Sequence, residues 1–189
     1  MPAERPMSVV LCWHMHQPEY RDLRSGRIHL PWTYLHGIKD YVDMAAHLEA
    51  VPGATAVVNF APILLEQIED YVEQIRGYLN GHSAIRDPLL GELAEPALPG
   101  DSQERLKLMR ACLRANRERI IERFKPYHHL ATMAEWYEEH PETLIYASNQ
   151  FLADLLVWYH LGWMAESARR QDPRIRKLQD KAANYTVHD

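Results

Sequence analysis

The sequence is poor in several features that would assign it to a special class of protein. It has two cysteines in 189 residues, Cys12 and Cys112, too few for the disulfide framework of a small secreted domain. No stretch approaches the roughly 20 apolar residues that a membrane-spanning helix needs. The polar segment from Met1 to Pro6 lacks the apolar centre of a secretion signal. We therefore expect a cytoplasmic protein without a membrane partner.

Clustered positive charge is also missing. The chain has 21 Lys and Arg against 26 Asp and Glu, a net charge of -5 at pH 7, and no basic block of the kind that binds nucleic acid. We therefore expect no nucleic-acid partner.

Aromatic and imidazole side chains are instead abundant, with five Trp, ten Tyr and eleven His. Such side chains either fill a core or line a cleft that stacks on and hydrogen-bonds a polar ligand.

An apolar run from Val9 to Trp13 is followed at once by polar residues, which is typical of a buried strand with a functional end. The run continues into His14 and His16, and Pro18 then stops the strand. Because side chains alternate along an extended chain, the two imidazoles should share one face. Ligands bind at the carboxyl ends of parallel strands, so this end is the predicted site.

Strands and helices are predicted to alternate over residues 1–81. A helical repeat of apolar residues follows Pro31, a short β-branched run lies at 54–60, and another helical repeat begins near Pro62. The β-branched run predicts a second buried strand that ends in a polar residue, Asn59. Strand, helix, strand, helix favours a parallel sheet with right-handed crossovers, and hence an α/β fold.

Residues 82–189 are predicted to be mainly helical. An irregular connection is expected at 82–101, followed by helices from Ser102 to a break at Pro126, from Tyr127 to Glu139, and from Phe151 to about Arg170. A last helix is predicted from the apolar positions at 175–182. The only weak strand signal in this half lies at Thr143–Tyr146.

A chain of 189 residues is long enough for one sizeable core, so we expect a single domain over residues 1–189. It is shorter than the roughly 250 residues of a closed strand-helix barrel.

Trp158, Tyr159, His160 and Trp163 recur at helical spacing. Such an aromatic stripe is more often part of a core than of a ligand site, and we assign it no ligand role.

The pair His14 and His16 admits three interpretations. Each imidazole could be an ordinary hydrogen-bonded residue at a strand end. The pair could instead share a metal ion, with His36, His128 or His129 as further ligands, although none stands at a recognisable partner spacing. Finally, two imidazoles beside a glutamine amide and tryptophan rings suit a sugar, whose hydroxyls need donors and acceptors and whose ring faces stack on aromatics.

Three blocks of the sequence carry a resemblance to a known family. They are W-H-M-H-Q-P-E-Y at 13–20, L-P-W-T-Y-L-H-G-I-K-D-Y-V-D-M at 30–44, and V-V-N-F-A-P-I-L-L-E-Q-I-E-D-Y at 57–71. Together they resemble the opening of the family 57 glycoside hydrolases, the group of α-amylases, 4-α-glucanotransferases and branching enzymes. The resemblance covers essentially the whole chain, but aligns it with only the first part of a family domain.

The resemblance implies a partial barrel of the seven-unit (β/α) type. The first two or three parallel strands with crossover helices would come first, and a mainly helical region would follow. It also implies retaining chemistry on α-glucosidic bonds, which uses two nearby carboxyl groups and no metal or organic cofactor. No Glu or Asp here matches the family's nucleophile or acid motifs. Glu19, Glu66 and Glu166 lie near matching blocks, but nothing marks any of them as catalytic.

What the resemblance carries over is substrate binding. His14 and His16 would hold the sugar at the scissile bond, Gln17 and Asn59 would assist, and Trp32 is a candidate sugar platform. The substrate would be an α-glucan or maltooligosaccharide. The chain alone is expected to be inactive, with its missing part supplied by continuing polypeptide, another chain or self-association. The alternatives are a metal-dependent hydrolase that uses the His-x-His pair and a non-catalytic glycan-binding module.

Overall fold

The computed structural model of the protein describes residues 9–95 and 98–189, so the polar segment Met1–Pro6 lies outside the described residues. Its strands and α-helices follow in chain order. They are strand β1 (Leu11–Met15), helices α1 (Trp32–His36) and α2 (Val42–Glu49), strand β2 (Ala56–Phe60), and helices α3 (Pro62–Leu79), α4 (Pro88–Ala94), α5 (Ser102–Cys112), α6 (Lys125–Glu139), α7 (Asn149–Trp163), α8 (Glu166–Gln171) and α9 (Pro173–Lys181).

Strands β1 and β2 pair in parallel, as the alternation of strands and helices predicts. The register places Leu11 opposite Ala56 and His14 opposite Asn59. The described residues therefore form an α/β fold with two parallel strands and mostly helical content. No helix in the described part of the chain is both long and apolar enough to cross a membrane.

The prediction that both strands are buried is wrong for the described residues. Leu11 is 48% exposed and Val57 is 55% exposed, and Cys12 is exposed as well. A strand is buried only when another layer covers its face. The described helices pack mainly on one another, so the apolar composition of these strands is not matched by burial.

The hydrophobic core lies mainly in the helical half, around α7. This helix packs against α5 and α6 and also contacts α1 and α4. Ser148 caps it by accepting a hydrogen bond from the Phe151 N–H at 3.0 Å. The predicted aromatic stripe belongs to this core, since Trp158, Tyr159 and Trp163 are all buried.

Several predicted helix boundaries differ from those of the structure. The helix predicted to run from Phe151 to Arg170 is two helices, because Met164 and Ala165 adopt extended backbone angles. The connection at 82–101 contains α4, which Asp87 caps through the Leu89 and Leu90 N–H groups. The weak strand signal at Thr143–Tyr146 is also wrong. That segment lies in a 3-10 helix, Pro141–Tyr146, whose second turn buries Leu144.

Helix α3 buries only part of the face that its apolar residues predict, including Leu64 and Tyr71. Its buried positions include two glutamines, Gln67 and Gln74. Leu65, Val72 and Leu79 belong to the helical repeat of apolar residues that begins near Pro62, but they are exposed. Apolar periodicity shows which face gains most from burial, but burial itself depends on what the helix packs against. In the described residues, Gln67 and Gln74 therefore face inward beside Leu64 and Tyr71, while several other apolar side chains of α3 face outward.

The two halves of the chain contact each other through polar side chains. Asp43 on α2 accepts hydrogen bonds from the Glu166 and Ser167 N–H groups at 2.8 and 2.9 Å, and so caps α8. His160 on α7 is hydrogen-bonded to the Tyr34 hydroxyl on α1 at 2.9 Å. These contacts join the strand-helix units of residues 1–81 to the helical residues 82–189.

Candidate functional site

Two imidazoles lie side by side at the carboxyl end of the parallel strands. The ring centroids of His14 and His16 are 6.0 Å apart, and the ring planes differ by 13°. Both side chains are exposed. The shared face that the i, i+2 spacing predicts is therefore present. Accessible ring nitrogens at a strand end can hydrogen-bond a polar ligand from solvent.

Asn59 orients the first imidazole of this pair. The Nδ1 atom of His14 lies 2.7 Å from the Asn59 Oδ1 atom, which can only accept. The His14 Nδ1–H group is thus the donor, so in the neutral ring Nε2 is the acceptor that stays available. Asn59 reaches this position because its strand pairs with β1 in register with His14. Three predicted site residues, His14, His16 and Asn59, therefore form one group.

Gln17 is held by two tyrosines that the sequence interpretation did not identify as site residues. Its Nε2 atom donates to the Tyr41 hydroxyl at 3.3 Å, and its Oε1 atom accepts from the Tyr20 hydroxyl at 2.9 Å. Gln17 is half-buried. These two hydrogen bonds consequently fix the orientation of the Gln17 amide. Tyr20 ends the W-H-M-H-Q-P-E-Y block and Tyr41 lies in the second block, so their presence in those blocks was the available signal.

Gln67 anchors the loop that follows the imidazole pair. Its Nε2 atom donates to the Pro18 carbonyl at 2.9 Å and to the Ile63 carbonyl at 3.2 Å. Its Oε1 atom accepts from the Tyr20 N–H and from the Thr33 hydroxyl, both at 3.2 Å. The side chain is 1% exposed, and all its donor and acceptor atoms are used. Gln67 therefore ties α3 to the loop beside the site.

The signal for Gln67 was its position on α3. It lies three residues after Leu64 and four before Tyr71, and both of these are buried. Residues at such spacing share one helix face. A glutamine on a buried face needs partners for its amide, so this position already indicated a hydrogen-bonding role.

Trp32 lies in a different environment from the imidazole pair. Its ring centroid is 5.9 Å from that of Trp163 and 6.5 Å from that of His36. The residue is half-buried and packs against the helical core. Within the described residues, the ring of Trp32 contacts neither His14 nor His16. The structure thus brings three of the five predicted binding residues together, holds Gln17 on neighbouring tyrosines and places Trp32 on the core.

The further histidines considered as metal ligands are engaged elsewhere. His36 pairs with Asp40 through Nδ1 and Oδ2 at 2.5 Å. His128 and His129 stack on each other on α6, with ring centroids 6.3 Å apart. In residues 9–95 and 98–189, no three or more His, Cys, Asp or Glu side chains group closely enough to hold a metal ion. The described residues therefore offer the imidazole pair without a third ligand.

The carboxylates near the matching blocks are bound to arginines. The Arg21 guanidinium is 2.7 Å from the Glu19 carboxylate and holds the pKa of Glu19 below its usual value. Hydrogen bonds from Arg169, Arg123 and Arg170 lower the pKa of Glu166 to about 2, against the opposing effect of burial. Glu66 is exposed, and its carboxylate lies 3.7 Å from Arg21. A general acid needs a raised pKa, which neither Glu19 nor Glu166 has.

Three concavities of the described surface lie away from the imidazole pair. Their volumes are about 1180, 600 and 420 Å³. The first lies between α2 and the α8–α9 region, the second beside α7, and the third around α8 and α9. None of the three is lined by His14, His16 or Asn59. His14, His16 and Asn59 are exposed and lie outside these three concavities.

Comparison with known proteins gives one family. Residues 10–152 match the model of glycosyl hydrolase family 57, a segment that contains the imidazole pair, Asn59 and Gln67. No curated protein and no solved structure matches the chain significantly. The match covers more than half of the 189 residues and confirms the resemblance carried by the three sequence blocks. The chain therefore belongs to glycosyl hydrolase family 57.

Proposed function

We propose that His14, His16 and Asn59 bind the sugar of an α-glucan or maltooligosaccharide in a retaining hydrolase or glucanotransferase. The single observation that carries this proposal is the stacked, exposed imidazole pair, with one ring hydrogen-bonded to Asn59 at 2.7 Å. The group lies at the carboxyl ends of two parallel strands, which is where sheets of this type bind ligands. Membership of the family supports a glycan as the ligand.

The chemistry of the group matches that of a sugar. A hydroxyl both donates and accepts, and an imidazole offers one nitrogen of each kind in its neutral form. Because its Nδ1–H group donates a hydrogen bond to Asn59, His14 would accept a hydrogen bond from a sugar hydroxyl at Nε2. His16, stacked beside it, would contact a neighbouring hydroxyl of the same ring. The fixed tautomer of His14 reduces the entropy lost when the sugar binds.

These residues by themselves would bind sugar weakly and would not catalyse its cleavage. Hydrolysis with retention of the anomeric configuration requires a nucleophilic carboxylate and a second carboxyl group that acts first as acid and then as base. Glu19 and Glu166 are ion-paired with arginines, which stabilises their ionised forms. The nucleophile and the acid would come from polypeptide beyond these residues.

The proposal can be tested by titrating the 189-residue protein with maltooligosaccharides and following binding by NMR. We expect His14→Ala and His16→Ala to weaken binding about tenfold each, the loss of one good hydrogen bond to a sugar. His47→Ala is the matched control, because His47 is an exposed histidine on α2 and its loss should leave the affinity unchanged. Equal effects of all three variants would contradict the proposal.

Two further outcomes separate the competing functions. Turnover of maltooligosaccharides by the purified protein, abolished by His16→Ala, would mean that the catalytic carboxylates lie within this chain. Stoichiometric zinc in the purified protein, lost in His14→Ala, would favour the metal-dependent hydrolase instead. Binding without turnover and without zinc is the result that we expect.

A further inference from the structure

A concavity of about 420 Å³ around α8 and α9 is unusually rich in arginine. We call it the arginine pocket and define it by the charged and aromatic residues that line it. These are Arg123, Phe124, Glu166, Arg169, Arg170 and Arg176. It does not include any residue of the imidazole group. The proposed sugar-binding role therefore leaves this pocket without a function.

Positive charge dominates the lining. The lining includes four guanidinium groups and a single carboxylate, that of Glu166. Glu166 pairs with Arg123, with Arg169 at 2.7 Å and with Arg170 at 2.8 Å. The whole chain carries a net charge of -5, so the local excess of positive charge is not a consequence of composition. A concave surface lined by one sign of charge concentrates ions of the opposite sign.

Two of the guanidinium groups are held in place without a ligand. Arg169 is buried, and its Nη1 atom donates to the carbonyls of Leu161 at 3.3 Å and of Met164. Its guanidinium lies 5.2 Å from the centre of the Phe124 ring, and that of Arg123 lies 5.5 Å from the same centre. Stacking on an aromatic ring restricts an arginine side chain. Part of the entropy cost of binding an anion is thus already met by the fold.

Arg176 differs from the other three arginines of the pocket. It is exposed on α9, and in the described part of the chain its guanidinium has no carboxylate within ion-pair distance and no hydrogen-bond acceptor. Its charge is therefore not neutralised by Glu166. A planar guanidinium presents paired N–H donors that match two oxygens of a phosphate group.

We propose that the arginine pocket binds a phosphate dianion. Arg176 would supply a bidentate contact, and Arg170 and Arg123 would supply the surrounding positive charge. The volume of about 420 Å³ accepts either free phosphate or the phosphate group of a phosphorylated sugar. Because the pocket is open to solvent, its affinity should fall as ionic strength rises.

The test is a titration of the protein with inorganic phosphate and with glucose 6-phosphate at constant ionic strength, following the arginine Nε–H resonances by NMR. We expect saturable shifts that Arg176→Ala weakens about tenfold, the loss of a charge-assisted contact. Arg174→Ala is the matched control. It removes the same charge from the same helix, but Arg174 pairs with Asp172 at 2.6 Å and does not line the pocket.

The outcomes of this titration distinguish the two ligands and can overturn the proposal. Tighter binding of glucose 6-phosphate than of inorganic phosphate would support a phosphorylated sugar as the ligand, and equal binding would support free phosphate. Shifts that rise linearly without saturation would overturn the proposal. So would saturable shifts that Arg176→Ala and Arg174→Ala reduce equally. Arg176 is exposed, so its replacement should not prevent folding.

Discussion

Strands β1 and β2 and helix α7 carry comparably apolar sequences but lie in opposite environments. Leu152 on α7 is fully buried, whereas Val57 on β2 is 55% exposed. Helix α7 contacts helices on several sides, while each strand contacts mainly its partner strand. The difference teaches that an apolar run predicts a preference for burial, and that the layers around it decide whether this preference is satisfied.

The same contrast appears in the histidines of the two regions. His160 on α7 is buried, with Nε2 hydrogen-bonded to the Tyr34 hydroxyl at 2.9 Å and Nδ1 to the Leu156 carbonyl at 2.8 Å. Burial lowers the pKa of His160 to about 4, so it is neutral and structural. His14 and His16 are exposed at a strand end, where they are available to a ligand.

The largest predicted effect tests the contrast between α7 and β2 directly. Leu152→Ala should lower the free energy of unfolding by about 4 kcal/mol, because it removes buried methyl groups and leaves a cavity. Val57→Ala removes mostly exposed surface, so it should cost about 0.5 kcal/mol or less. Urea denaturation of both variants measures the two values. Equal losses would show that β2 is buried in solution and would break the comparison.

Gln67 joins α3 to the loop that follows β1, so its replacement should have an intermediate effect. Gln67→Ala leaves the Pro18 carbonyl and the Tyr20 N–H without their partner, and we expect a loss of about 2.5 kcal/mol. Because the same loop follows His16, sugar binding should weaken as well. Glu69→Ala, on the exposed side of α3, is the control and should change neither quantity. A stable Gln67→Ala variant would exclude the anchoring role.

The free energy of unfolding should depend on pH through His160. The folded-state pKa of His160, about 4, lies below the unfolded value of about 6.5. The unfolded chain therefore binds a proton first as the pH falls, and stability is lost from pH 6.5 downward until pH 4. Between pH 7.5 and 5 this loss should be about 2 kcal/mol.

The His160 contribution can be isolated by comparing unfolding of the protein and of His160→Gln at both pH values. The variant should lose the corresponding part of the pH dependence, because a glutamine does not titrate. Glu166 has a folded pKa of about 2, so its stabilising ion pairs are lost only as the pH falls from about 4.5 towards 2. An unchanged pH dependence in His160→Gln would assign the effect to other groups.

Much of the local structure could be predicted from the sequence. Pro62 opens α3, as a proline at the first helical position should, and the region from Trp32 to Glu49 is continuously helical, with a π-helical turn at Gly37–Tyr41. Helix ends were less predictable. Neither Met164 nor Ala165 is a proline or a glycine, so no local signal predicts the break between α7 and α8. Helix α8 is instead capped by Asp43, which lies on the distant helix α2.

The candidate site was predictable in part. The i, i+2 spacing of His14 and His16 gave their common face, because side-chain alternation is a local property of an extended chain. The hydrogen bond between His14 and Asn59 required the register of two strands 45 residues apart. The hydrogen-bond partners of Gln17 and Gln67 likewise lie in separate segments of the chain, and no local sequence pattern predicts them.

By itself the sequence determined the order of strands and helices over residues 1–81 and the family, because periodicity, turn residues and motif blocks are encoded locally. It also determined that two imidazoles end the first strand. Only the tertiary structure decided that α7 is buried while most of β1 and β2 is exposed, and that α3 turns two glutamines inward. The physical reason is that burial belongs to the packing of distant segments, and a side chain's environment is set by what lies against it.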